Sequence, residues 1–160
     1  MTQKNLSYWL KGVIIVVALL GVWLYGLIVP MIAEAVGEYF EKLYLPVLLF
    51  LLGTGVPCFT SLVFAWRVAS EIGRDNSFSR INARCMKVIS ILALGDVVYF
   101  ILGMVIMVLA ERAAFLWLFP LSIFFGLLII AGLAISVCSA ALSHLILKAA
   151  LIKEENDLTV

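Results

Sequence analysis

Residues 12–33 read GVIIVVALLGVWLYGLIVPMIA, an uncharged run bounded by Lys11 and Glu34. A helix needs about 20 residues to cross about 30 Å of hydrocarbon, so this run is long enough to span a bilayer. Three more runs follow. Residues 43–66 are uncharged and stop before Arg67, and residues 88–110 carry one charge, Asp96, between Lys87 and Glu111. Residues 113–147 form an uncharged stretch of 35 residues, about 52 Å of helix at about 1.5 Å per residue, which must start late, tilt or protrude. Placing Pro120 in its first turn, where a missing N–H is harmless, gives a fourth span over about 115–147.

The whole composition agrees with these runs. Of 160 residues, 65% are hydrophobic and 13% charged, with a mean hydropathy of +1.19. A soluble domain is about 45–50% apolar and about 25% charged, and a disordered chain is more polar still. The expected fold is an all-α integral membrane protein forming one domain, a four-transmembrane-helix bundle with spans at about 12–33, 43–66, 88–110 and 115–147. A loop at 67–87 and a tail at 148–160 remain outside. The first run also shares features with a signal peptide, with Ala33-Glu34-Ala35 as a cleavage site. Its apolar core exceeds the usual 7 to 15 residues, so it reads as a retained helix.

Orientation follows from Lys and Arg in the short connections. Lys4 and Lys11, then Arg67, Arg74, Arg80, Arg84 and Lys87, then Lys148 and Lys153 share one side, against Lys42 and Arg112 on the other. Both termini and the 67–87 loop are therefore expected on the cytoplasmic side of the membrane. Tyr8, Trp9 and Trp66 mark the inner interface, and Tyr39, Tyr44 and Trp117 the outer one. The net charge of +1 argues against direct nucleic-acid binding, which needs a concentrated basic excess. Cys58, Cys85 and Cys138 form neither a disulfide framework nor a zinc motif, and no nucleophile or phosphate motif is present. No enzyme, metal or cofactor is expected.

Asp96 lies nine residues beyond Lys87, about 13 Å into the core and near its midplane. Placing a charge there costs about 2.5–3.5 kcal/mol on insertion scales, so the side chain should face protein and be protonated at neutral pH. Counting equal depths on the second and fourth spans gives Thr60, Ser61, Ser136 and Ser139 as its neighbours, together with backbone freed by Pro57. Pro57 follows Gly53-Thr54-Gly55-Val56 and should kink or unwind its helix. Two readings of this group stand open: a structural hydrogen bond worth about 1 kcal/mol, or a proton or ligand site. Gly132, Ser136, Ala140 and His144 form an i, i+4 series suited to close helix packing, which also suits a homo-oligomer.

The 67–87 loop is the richest polar segment. Gly73 suits a helix end, Ser77 or Ser79 a helix start, and Phe78 an apolar anchor. Arg80, Arg84 and Lys87 then recur on one face. These charges fix topology and touch headgroups at about 1 kcal/mol each, or they dock a cytosolic partner. The tail supplies Glu154, Glu155 and Asp157 on the same side, able to fold back on Arg74, Arg80 or Arg84, or to bind a basic partner.

The loop Ile72-Gly73-Arg74-Asp75-Asn76-Ser77-Phe78-Ser79, followed by Asn82-Ala83 and Lys87, and the ending Ile152-Lys153-Glu154-Glu155-Asn156-Asp157-Leu158-Thr159-Val160 resemble a bacterial membrane family, the domain of unknown function numbered two-nine-seven-five. The resemblance covers nearly the whole chain and is most specific in loop and tail. Members are often encoded beside a small helix-turn-helix regulator, which implies by association that the membrane protein controls or tethers it. The family supplies no catalytic residues, and Asp96 is not assigned by its pattern. The resulting expectation is a regulatory membrane protein that senses a membrane or envelope cue and binds a helix-turn-helix protein through Arg74, Phe78, Arg80, Arg84, Lys87, Glu154, Glu155 and Asp157. The alternatives are a small transport or peptide-immunity protein built on Asp96, or an accessory subunit of a membrane complex.

Overall fold

The computed structural model describes residues 3–110 and 122–157. Glu111, Arg112, Trp117 and Pro120, on which the second outer connection and the start of the fourth span rest, lie outside the described residues, as does the Asp157 side chain. Helix α1 (Gln3–Trp23) passes through a π-helical turn (Leu24–Ile28) into α2 (Val29–Tyr39). A 3₁₀ turn (Glu41–Leu43) leads to α3 (Tyr44–Ile72), followed by α4 (Arg80–Ala110) and α5 (Ser122–Asp157). Among the described residues four helical segments are long and apolar enough to cross a membrane, the first formed by α1, the π turn and α2 together.

Their outward faces are apolar. Val63 is 68% exposed, Leu109 75% and Val137 67%, an arrangement that water does not favour but lipid does. Each span packs chiefly on its neighbour in the chain: α1 and α2 on α3, α3 on α4, and α4 most extensively on α5. Ala33, Leu43 and Val47 form a buried cluster where α2 meets α3, sealed by Val36, Phe40, Leu48 and Leu51. Between α3 and α4 the rings of Phe50 and Tyr99 stack at 5.2 Å, and Phe50 meets Phe100 at 5.7 Å. Gly103 lets the two helices close: a Cβ there would collide with the Phe50 ring.

The α4–α5 seam is built from small polar residues. Ser136 Oγ donates to the Ser90 carbonyl at 3.0 Å, and Ser143 Oγ donates to the Ala83 carbonyl at 2.7 Å. A Cβ at Gly132 would lie 2.5 Å from Val97 Cγ2. The buried positions step through Ser136, Ser139 and Ala150, whereas Ala140 is exposed and His144 also points outward. A pure i, i+4 row drifts around the helix because four residues exceed one turn of 3.6, so the contact alternates its steps and leaves the expected Ala140–His144 end behind.

Pro57 corrects a second expectation. Helix α3 runs unbroken from Tyr44 to Ile72, without the unwinding that its proline suggested. Two hydroxyls follow it: Thr60 Oγ1 donates to the Val56 carbonyl at 2.7 Å and Ser61 Oγ to the Pro57 carbonyl at 2.8 Å. Both side chains are thereby satisfied within their own helix, while the carbonyl that the proline deprives of a partner is that of Gly53. The change of register lies in the first span instead, at Leu24–Ile28, where the Val29 N–H reaches the Leu24 carbonyl. Pro30 stands immediately beyond and has no N–H to offer Gly26, so the preceding turn widens.

The polar connection is also shorter than the 67–87 loop expected from charge. Helix α3 continues to Ile72 and α4 begins at Arg80, leaving residues 73–79, and the tail is a continuation of α5 to Asp157. Charge marks where a helix leaves an apolar environment, and a helix whose backbone bonds are internal need not end there.

Candidate functional site

The amino end, the 73–79 turn and the end of α5 meet at one end of the molecule, and one asparagine organises them. Asn82 is 1% exposed. Its Nδ2 donates to the carbonyls of Asn76 at 3.1 Å and Ser77 at 3.0 Å. Its own N–H donates to Ser79 Oγ at 3.2 Å, which makes Ser79 the N-cap of α4. Ser77, the other capping candidate, instead donates through Oγ to Gln3 Oε1 at 3.0 Å.

Glu71 closes the other half of the turn, accepting from Asn76 Nδ2 at 2.9 Å and from Arg74 Nη1 at 3.3 Å. Asp75 carries the left-handed backbone, with φ of 58°, a conformation that Asp tolerates better than most residues. Gly73, expected to serve there, has φ of −67°. Its use is close approach: a Cβ would lie 2.7 Å from Ser7 Oγ, and that hydroxyl donates to the Ala69 carbonyl at 2.6 Å. Lys11 Nζ stands 5.3 Å from the Trp66 ring centroid on the same flank.

Around this frame lie the residues read as a partner surface. Arg80 grips Glu154, with Nε to Oε1 at 2.9 Å and Nη2 to Oε2 at 2.6 Å. Of the three arginines considered for the tail, the fold therefore brings Arg80 to it, while Arg74 joins Glu71 within its own turn. The Arg80 hydrogen bonds and charge hold the Glu154 carboxyl below its usual range, and Glu154 in turn raises Arg80. Both side chains are about half exposed to solvent, so the pairing exchanges readily. Phe78 is 57% exposed. Arg84, Lys87 and Glu155 are exposed as well. Sequence reasoning missed Asn82 and Ser7; the pairing of Asn82 with the Ser79 cap three residues earlier was the available signal.

The second group lies at mid-depth. Tyr25, in the π turn, meets Thr54 Oγ1 at 2.9 Å, and Thr54 Oγ1 donates to the Leu51 carbonyl at 2.7 Å. A hydroxyl has one hydrogen, and Thr54 has given it to Leu51, so Tyr25 is the donor in the pair. Gly55 makes room: a Cβ there would lie 3.2 Å from the Tyr25 ring. Asp96 lies within electrostatic range of both Tyr25 and Cys58, and its Oδ1 is buried without a hydrogen-bond partner.

The neighbours expected for Asp96 are placed elsewhere. Thr60 and Ser61 turn to their own helix, and Ser136 turns to Ser90. Ser139 is buried on the same seam. Ser90 and Val97 face α5, and Asp96, one residue from Val97, is rotated about 100° away toward the first and second spans. Tyr25, absent from the sequence reading, and Cys58 are the groups within its range instead.

Long apolar helices, lipid-facing surfaces and polar ends define a multi-pass helical membrane protein. The chain belongs to the family described as "Protein of unknown function (DUF2975)", which matches residues 9–160. It is 33% identical over 137 residues to the uncharacterized membrane protein YoaS of Bacillus subtilis (strain 168), across 83% of this chain and 84% of that protein. No solved structure matches the chain.

Proposed function

We propose that this is a non-enzymatic regulatory protein of the bacterial plasma membrane that senses a membrane or envelope cue and binds a cytosolic helix-turn-helix regulator. In this reading both termini and the 73–79 turn are cytoplasmic, on the side with most Lys and Arg. The observation that carries it is the turn itself: Asn82 pins the 76–77 backbone while Phe78 stays 57% exposed. A rigid turn presenting an aromatic ring among basic side chains offers an anchor with low ordering cost to a partner. The choice of regulator rests on the family resemblance, and the balanced net charge leaves DNA contact to that partner.

The test is mild crosslinking and copurification of the tagged protein from its native membrane. Replacing Arg74, Arg80 and Arg84 with Gln, or removing residues 152–160, is expected to abolish partner retention with insertion intact. Glu154→Gln separates the two contributions, since it frees Arg80 without changing the turn. Retention of a helix-turn-helix protein through both the triple replacement and the truncation overturns the reading.

A further inference from the structure

The midplane group holds more chemistry than a helix contact requires. Asp96 sits on α4, and the groups that its charge reaches come from two other helical elements, the Tyr25 hydroxyl of the π turn and the Cys58 thiol of α3. Asp96 Oδ1 is enclosed and has no donor. A bare carboxylate at that depth is costly, and no Lys or Arg occurs between residues 12 and 41, 43 and 66 or 88 and 110 to offset it.

Hydrogen counting shows why the donor is missing. The Thr54 hydrogen goes to Leu51 and the Tyr25 hydrogen goes to Thr54. The chain Tyr25 to Thr54 to Leu51 runs away from Asp96. In that arrangement the Tyr25 oxygen offers only lone pairs toward the acid, which suits a carboxyl that itself carries the hydrogen. If Asp96 loses its proton, the Tyr25 hydroxyl is a donor within its electrostatic range, and Tyr25 has one hydrogen to give.

We propose that Asp96, Tyr25 and Thr54 form an intramembrane proton-binding switch. In the protonated state Asp96 is a neutral carboxylic acid, and Tyr25 donates to Thr54, tying the π turn of the first span to α3. On release of the proton to water, the carboxylate takes the Tyr25 hydrogen bond and the Tyr25–Thr54 bond opens. The π turn is the element suited to respond, because its backbone already departs from regular i→i−4 bonding. The titratable groups facing Asp96 are Tyr25 from the first span and Cys58 from the second; Ser90 and Ser136, on the α4–α5 face, carry no charge. This inference is independent of the partner-docking reading.

Infrared difference spectroscopy of the full chain in lipid nanodiscs tests it, with the proton as the only ligand. The sequence has three aspartates, Asp75, Asp96 and Asp157, so carbon-13 labelling of aspartate isolates a short list in the unmodified protein. A carboxylic-acid C=O band at neutral pH is expected, converting to carboxylate as pH rises. Asp96→Asn should remove the band, and Tyr25→Phe should displace it by removing its acceptor. Thr54→Val, which frees the Tyr25 hydrogen, should move the conversion to lower pH. Absence of an acid band at neutral pH in the labelled wild-type protein overturns the proposal whether or not Asp96→Asn folds. A band indifferent to Tyr25→Phe overturns the switch.

Discussion

Asn82 shows how much one side chain can determine at an interface between membrane and water. Two donated hydrogen bonds and one cap bond, made by a residue 1% exposed, give the Asn76 and Ser77 carbonyls a side-chain donor and fix the start of α4. Asn82→Ala leaves the carbonyls of Asn76 and Ser77 without that donor. A buried group left unsatisfied costs about 1–3 kcal/mol, so thermal unfolding in detergent should show a loss of that size. Asn82→Leu should cost more, by adding bulk without a donor. An unchanged melting temperature for Asn82→Ala would mean that the turn is held elsewhere.

The Arg80–Glu154 pair gives a pH-dependent expectation at the same scale. Glu154 is held below its usual range in the folded state. Its contribution is therefore complete above the ordinary carboxylate range and is lost as pH falls through the lowered value. Protection of the amides over residues 150–157, taken relative to the intrinsic exchange rate at each pH, should fall on acidification through that window, and also on raising salt at neutral pH. Glu154→Gln should show the low protection throughout and remove the pH step.

At the scale of elements, the first span and the α4–α5 seam make contrasting predictions. Pro30→Ala restores an N–H to the turn that now widens ahead of it. Closing the π turn into regular helix changes the rotation of Tyr25 relative to α2, so the Tyr25–Thr54 coupling in a Tyr25→Phe, Thr54→Val double-mutant cycle should vanish in that background. On the seam, Ser136→Ala should cost about 0.6 kcal/mol, an average for hydrogen bonds between membrane helices. Gly132→Leu should cost much more, because Val97 already lies 2.5 Å from the Cβ position. Reversible unfolding in mixed micelles measures both, and equal effects would mean that hydrogen bonding, not close approach, sets the seam.

What was legible before the structure divides along physical lines. The four apolar helical segments were, because about 20 apolar residues in a row have few other uses. The Ser79 cap and the tail-to-loop pairing were legible too, since caps and opposite charges have local signatures. Tyr25 was hidden inside an apolar run, where one tyrosine does not reveal which way it points. The placement of Asp96 required the rotation of α4, which depth counting along the chain does not supply. Pro57 was read as a helix breaker, yet α3 continues through it, while the change of register falls ahead of Pro30.

Seen as a whole, the molecule keeps its polar organisation at one end and its mid-depth group away from the α4–α5 seam. The two regions are joined by α3 and α4, which reach from the 73–79 turn to Thr54 and Asp96. The order of packing, each span against the one before it, has a consequence for how the chain is made. A ribosome delivers the spans in that same order, so every helix inserted after the first finds one packing partner already in the bilayer, although α4 meets its most extensive one, α5, last. The exception is Asp96, whose range extends back past α3 to Tyr25. That approach is completed only when the third span arrives, so the surroundings of the π turn are finished during synthesis, before α5 is added.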